Sequence, residues 1–197
     1  MINNSISETP MIGKVKLKKN VFTREQCEEI IKSHTGFEYD SCVDSPGHHI
    51  NSSMTKEEID MYTIEDPDSD NKRKVSQVAS DVVTEWDGLP VYRCKVMKYE
   101  EGEFVKEHVD SQWMCQSNYW APGTNKVARD LMIVPLNDNY EGGKLTVEGV
   151  EIPQDVGSVI QMPQSGNIHL DRPRPHHGVT TVTKGTRYAM VFWNFED

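Results

Sequence analysis

The chain has 197 residues, 31 of them acidic against 21 basic, for a formal net charge of −10. That length suits one domain with a proper core, and the acidic balance disfavours a sequence-independent grip on nucleic acid, which needs Lys and Arg on phosphates. No apolar run approaches the roughly 18 residues of a membrane span, no secretory leader is visible, and Cys27, Cys42, Cys94 and Cys115 form no Cys-x-x-Cys pair, so a reducing, cytoplasmic setting is expected.

The first half reads as helix and loop. Thr23-Arg-Glu-Gln26 fits a capping box, with Phe22 and Cys27 placed as its hydrophobic staple and Cys27, Ile30 and Ile31 as the buried stripe. Tyr39 to Asn71 is polar and predicts loop, with a short helix at Thr55 to Tyr62. Val75, Val78, Ala79, Val82, Val83 and Trp86 recur at helical spacing, and Gly88 and Pro90 end that helix. His34 suits a helix C-terminus, and His48 and His49 fall in a Pro-Gly loop, either solvent-facing or bordering a site.

From Val91 the texture changes to short strands. Tyr92, Cys94 and Val96 alternate with charged neighbours, and further strands are expected at Phe104 to Asp110, Leu131 to Leu136, Lys144 to Glu148, Ser158 to Met162, Gly178 to Val182 and Thr186 to Phe195. Many short strands separated by turns predict a β-sandwich or jelly roll, with the two amphipathic helices on one outer sheet face. The organisation expected is a single domain over 1–197, with helical support at 21–88 and a β core at 91–196.

Within that core His108-Val-Asp110 is answered by a distant His177 and by Arg187 beyond it. Two imidazoles and one carboxylate are the facial triad of non-haem Fe(II), which leaves coordination positions open. On a strand, residues two apart share a face, so His108 and Asp110 are expected on one side with Phe104 and Lys106. A second His-x-Asp, His169-Leu-Asp171, has only His176 and His177 downstream, too near for an intervening hairpin. His176 competes with His177, and His177 is preferred because it opens the strand-like Gly-Val-Thr-Thr-Val run. Arg187 shares a strand face with Ala189, Val191 and Trp193. An inward Arg needs an anion, and its planar fork suits a carboxylate.

At these residues the chain resembles the Fe(II)- and 2-oxoglutarate-dependent dioxygenases, and within them the prolyl 4-hydroxylase-like branch. The resemblance spans roughly Phe22 to Phe195 in layout, and its specific motifs are Tyr99 to Asp110, Leu131 to Leu145 and His177 to Trp193. It implies a mainly β fold with flanking helices (α+β), a double-stranded β-helix (jelly-roll) core carried on N-terminal supporting helices. It implies His108, Asp110 and His177 as iron ligands and catalytic centre, Arg187 as anchor of the remote 2-oxoglutarate carboxylate, and Tyr99 as a further co-substrate contact. Fe(II), 2-oxoglutarate and O2 are the implied cofactors, with ascorbate as accessory reductant. Gly142-Gly143-Lys-Leu matches the family's turn into the next strand. Pro135 departs from it: some relatives carry a Tyr or Thr on this strand to share the carboxylate, and proline has no side-chain donor. Asp110 stands where related halogenases have Gly or Ala, so hydroxylation is implied.

The substrate class stays open. A peptidyl proline or other protein residue follows from the branch resembled; a small molecule such as a free amino acid is the alternative and predicts an enclosed pocket. A non-catalytic metal-binding jelly-roll module is a third reading, and nucleic acid is disfavoured by charge. Trp113, Tyr119 and Trp120, in the Ser111 to Lys126 loop, fit either a lid over the site or local core.

Overall fold

Alternating β-branched and polar residues from Val91 onward cannot bury a face alone, so the strands pair and the sheets stack. The computed structural model describes residues 15–33, 38–40, 48–50, 63–65, 72–74, 91–110, 127–163 and 175–196. In chain order the elements are β1 (Lys16–Lys18), α1 (Arg24–Ser33), β2 (Glu38–Asp40), β3 (His48–Ile50), β4 (Thr63–Glu65), β5 (Lys72–Lys74), β6 (Val91–Tyr99) and β7 (Val105–His108). They continue with β8 (Val127–Pro135), β9 (Glu141–Gly142), β10 (Leu145–Val147), β11 (Val150–Glu151), β12 (Val159–Pro163), β13 (His177–Val179), β14 (Val182–Lys184) and β15 (Arg187–Glu196).

Two antiparallel sheets dominate. One runs β1-β12-β8-β15-β6-β3-β2, the other β11-β10-β13-β7, and two-stranded pairs β14-β9 and β4-β5 complete the set. Leu131, Ile133, Ile160, Met162, Ala189 and Val191 of the large sheet meet Leu145 and Val147 of the small one in a single buried cluster. That is the facing-sheet core expected of a jelly roll. The continuous apolar run at Leu131 to Leu136 is explained by position: β8 lies between β12 and β15, and residues of both its faces are buried. Such a strand loses the alternation of a half-exposed one.

The front helix forms where its local chemistry predicts. Gln26 N–H donates to Thr23 Oγ1 (3.2 Å) and Thr23 N–H to Gln26 Oε1 (2.9 Å), the reciprocal capping box, with Phe22 and Cys27 both buried. The amides of Val21 and Phe22 both donate to the Gly157 carbonyl, tying the helix entrance to the turn before β12. Gly157 sits at φ +74° with Phe22 O only 2.0 Å from where a Cβ would lie, so only glycine fits.

Three expectations need correction. The polar Tyr39 to Asn71 segment, expected as loop with a short helix, contributes to the strands β2, β3 and β4. These polar segments gain strand structure from pairing: β3 joins the large sheet through His49↔Lys98 and Ile50↔Met97, and β2 pairs with β3. His48 and His49 therefore stand in an outer strand of the sheet instead of a Pro-Gly loop. The Gly178 to Val182 strand is two strands, β13 and β14, separated at Thr180 and Thr181. The strand starting at Phe104 ends at His108 and leaves Asp110 outside it. The helices expected at Thr55 to Tyr62 and Val75 to Trp86 lie outside the described residues. Among the described residues, no helix is long and apolar enough to cross a membrane.

Cys27 is fully buried, and burial pushes its thiol up to about 12. A native thiol so placed is expected to resist a thiol-specific reagent at pH 8 and to react fully once urea unfolds the chain. A time course of labelling with and without denaturant checks this. Unfolding frees the thiol to ionise near its ordinary value of about 8.5. Its contribution to stability is complete below that pH and declines as pH rises toward 12.

Candidate active site

β7 and β13 are adjacent antiparallel strands whose register places His177 opposite His108 and Val179 opposite Val105, with an irregularity between the two pairs. Three steps on β7 are spanned by two on β13, so β7 carries one extra residue, a β-bulge. Cross-strand partners share a face, and so do residues two apart on a regular strand. The bulge therefore sends Val105 and His108 to the same side, where a regular strand would send them to opposite sides. Val105 and Val179 pack with Tyr99 and Val182 in one buried cluster, and beside it the His108 and His177 rings lie 4.7 Å apart, tilted at 47°.

Asp110 follows immediately beyond the end of β7 and is buried at 6% exposure. Its Oδ1 lies 3.5 Å from His108 Nε2 and 3.6 Å from His177 Nε2. One potential ligand atom from each of the three residues lies within 4.8 Å of the others. Bonds of about 2.1 Å place neighbouring ligands of an octahedral ion about 3 Å apart, so this spacing fits one cation after small adjustments. His108 and Asp110 do point to one side, as their spacing predicts, although β7 ends at His108 and Asp110 lies two residues past that end.

The ring orientations are fixed from behind. His108 Nδ1 faces the Lys106 carbonyl (2.9 Å) and His177 Nδ1 faces the Pro175 carbonyl (3.2 Å). A carbonyl only accepts, so each Nδ1 carries a proton and each Nε2 is turned toward Asp110. Backbone carbonyls behind metal-binding histidines do this work widely. The hydrogen bond to Asp110 chiefly raises the His108 pKa, while burial chiefly lowers that of His177 and favours its neutral form. His177 is 9% exposed and His108 44% exposed, so the cluster opens to solvent on the His108 side.

His176 points elsewhere: its amide donates to Glu148 Oε1 (2.9 Å), and its exposed ring lies 3.7 Å from the same oxygen. The competing His169-Leu-Asp171 and the aromatic loop with Trp113, Tyr119 and Trp120 lie outside the described residues.

Arg187 begins β15 directly opposite Tyr99, the last residue of β6. It is 1% exposed, and its guanidinium carbon stands 4.9 Å from the centre of the Tyr99 ring. No carboxylate among the described residues pairs with it; Nη2 donates to Gln154 Oε1 (3.0 Å), and Nε is buried with no hydrogen-bond partner. A buried cation lacking an anion is strongly disfavoured. The Gly142-Gly143 turn makes room for it, since a Cβ on Gly143 would come 3.0 Å from Arg187 Cδ at a φ of +57°. The turn before β7 is fastened alongside: Gly102 N–H donates to the Val182 carbonyl (2.8 Å) and Val182 N–H to the Glu103 carbonyl (2.9 Å).

Two participants escaped sequence reasoning. Gly178, between His177 and Val179, carried one usable signal, since a glycine inside a strand marks a bulge or close backbone approach. Gln154 carried none.

The sequence profile of the 2OG-Fe(II) oxygenase superfamily matches residues 94–195. A PKHD-type hydroxylase of Acidovorax ebreus (strain TPSY) is 33% identical over 107 residues, which is 52% of this chain and 43% of that protein. The chain thus aligns with less than half the length of this relative. Among solved structures, the viral collagen prolyl hydroxylase of Paramecium bursaria Chlorella virus-1, in complex with 2OG, superposes at TM-score 0.59 and 11% identity, covering 94% of this chain and 97% of that one. A Trichoplax adhaerens prolyl hydroxylase, in complex with a hypoxia-inducible-factor peptide fragment, superposes at TM-score 0.58 and 14% identity, covering 93% and 84%. These likenesses establish the double-stranded β-helix fold. With a profile match over more than half its length, the chain belongs to the 2OG-Fe(II) oxygenase superfamily.

Proposed function

We propose that the protein is an Fe(II)- and 2-oxoglutarate-dependent hydroxylase in which His108, Asp110 and His177 hold the metal and Arg187 and Tyr99 hold the co-substrate. Family membership implies Fe(II) and 2-oxoglutarate. The observation that carries the reading is the pairing of two features: three ligand-type side chains within 4.8 Å, and a buried Arg187 with no anion among the described residues, its Tyr99 neighbour packing with Val105 and Val179 of the ligand-bearing strands. One feature suits the chelating end of an oxo-diacid on a metal and the other its far carboxylate.

Bound Fe(II), with 2-oxoglutarate and O2, supplies the oxidation: one oxygen atom enters a C–H bond as hydroxyl, the other enters succinate, and carbon dioxide leaves. The remaining tasks fall to the chain. Lys106 and Pro175 carbonyls hold both imidazoles with Nε2 inward. Asp110 supplies a negative charge that offsets the cation. Arg187 binds the distal carboxylate through its guanidinium, while the Tyr99 ring covers one face of that group. Ascorbate would be an accessory reductant, needed only to return iron oxidised in an uncoupled cycle to Fe(II).

For the substrate, the opening on the His108 side supports a residue carried on a peptide, most simply proline. A free amino acid would favour a closed pocket on that side. Similarity to PKHD-type and prolyl hydroxylases supports the same choice.

An anaerobic Fe(II) titration with 2-oxoglutarate tests the cofactor assignment. The visible charge-transfer band of the chelate is expected in the wild type and absent in His108→Ala. Arg187→Ala is expected to keep iron binding but to need about 100-fold more 2-oxoglutarate, the cost of losing one member of a buried charge pair. Incubation with proline-containing peptides under air, followed by mass spectrometry, should show one added oxygen. Oxidation confined to free amino acids would replace the peptide assignment, and absence of iron binding would remove the enzyme reading altogether.

A further inference from the structure

Gln154 lies in the loop before β12, two residues beyond the buried core residue Ile152. Its Oε1 accepts the hydrogen bond from Arg187 Nη2 at 3.0 Å. Guanidinium only donates, so the amide orientation is fixed: oxygen toward Arg187, nitrogen away. That nitrogen, Gln154 Nε2, is buried and has no hydrogen-bond partner among the described residues, and Arg187 Nε is in the same condition. Two adjacent buried donors without acceptors are costly, each by the desolvation of a polar group.

We infer that Gln154 is the neutral second anchor for the distal carboxylate of the co-substrate, binding it through Nε2 while Oε1 fixes the plane of Arg187. The inference rests on the co-substrate reading proposed above and specifies how that site selects a dicarboxylate. Each orphaned nitrogen is one geminal step from the hydrogen-bonded pair, so the two lie no more than about 7.5 Å apart. A single carboxylate whose oxygens both accept bonds near 2.9 Å spans up to roughly 8 Å. One such group is long enough to reach both donors, and its negative charge would neutralise the guanidinium.

The neighbouring strand end offers no substitute. Pro135 faces Ala189 instead of Arg187 and has no donor. Asn137, which follows it, spends its amide on the backbone either side of Arg187: Nδ2 donates to the Thr186 carbonyl (2.7 Å) and Oδ1 accepts from Tyr188 N–H (2.7 Å). The missing hydroxyl anchor noted in the sequence is thus replaced from the loop before β12.

The test compares 2-oxoglutarate with 2-oxobutyrate, which keeps the chelating end and lacks the distal carboxylate, by anaerobic calorimetry on the Fe(II)-loaded protein. Gln154→Leu is expected to weaken 2-oxoglutarate at least tenfold and leave 2-oxobutyrate unchanged. Gln154→Glu, which would pair with Arg187 and repel the ligand, should weaken it further. Fe(II) affinity should match the wild type in both variants, which reports that the core is intact. Equal weakening of both oxo-acids would overturn the inference in favour of a structural role, and so would unchanged 2-oxoglutarate affinity in Gln154→Leu. If Arg187→Ala weakens 2-oxoglutarate but Gln154→Leu does not, only Gln154 is misassigned. If the wild type discriminates neither acid, the co-substrate reading falls with it.

Discussion

Asp110→Asn is expected to reduce Fe(II) affinity by more than about 100-fold and to abolish turnover, with little change in the melting curve of the metal-free protein. The substitution keeps shape and volume, so packing around a residue of 6% exposure is preserved. What it removes is the negative charge facing His108 Nε2 and His177 Nε2 at 3.5 and 3.6 Å. Two neutral imidazoles and an amide oxygen would then have to hold a dication without charge compensation. Losses of 10–100-fold are usual when a group merely supporting a ligand is changed, so loss of the proposed anionic ligand itself belongs above that range. Anaerobic equilibrium dialysis against Fe(II), or against Mn(II) as a stable surrogate, measures the affinity. Near-wild-type binding by Asp110→Asn would move the metal away from this cluster.

The charge also sets what happens without metal. Asp110 chiefly raises the pKa of His108, while burial chiefly lowers that of His177, so the metal-free cluster is poised to hold a proton on the more exposed ring. With Fe(II) held by these residues as proposed, metal and proton would compete at His108, and iron binding would release that proton. Affinity for Fe(II) is accordingly expected to fall as pH drops through the range where His108 protonates.

Features decided within one turn of chain were the legible ones. The Thr23–Gln26 capping box could be read because both partners lie three residues apart and their bonds depend on nothing distant. The Gly142-Gly143 turn was visible for the same reason, although its role in giving room to Arg187 was not. β3 and the edge strand β2 are not legible, because polar sequences such as Glu38-Tyr-Asp and His48-His-Ile carry no period of their own and extend only where a neighbouring strand receives them. His108, Asp110, His177 and Arg187 stood out by residue type and order, but the means of bringing His108 and His177 together did not. A bulge is a mismatch of register between two strands, and neither strand contains it alone. Gln154 is a more extreme case: an amide in a polar loop acquires meaning only from the guanidinium it meets.

Gly178→Ala follows from that register and should separate placement from ligation. A Cβ at Gly178 would lie 2.7 Å from the Val105 carbonyl oxygen and 2.8 Å from the Glu107 amide nitrogen, both backbone atoms of the bulged strand. Neither can step aside by a side-chain rotation. β7 must move off β13 or surrender its extra residue, and without the bulge His108 and Val105 no longer face the same way. The variant is expected to lose about 2–3 kcal/mol of stability, the scale of overpacking in a close-packed interior. Its Fe(II) affinity should also drop more than tenfold under conditions where it remains folded. Val179→Ala supplies the control, because it opens a cavity in the same strand at a residue buried to 8% without pressing on β7. It should cost comparable stability and keep iron affinity close to the wild type. Paired urea melts and metal titrations on the two variants read both quantities. If Gly178→Ala lost stability but bound Fe(II) as tightly as Val179→Ala, the bulge would be a packing feature and His108 would owe its aim to another contact. If affinity falls in Gly178→Ala alone, a residue with no side chain positions the metal centre.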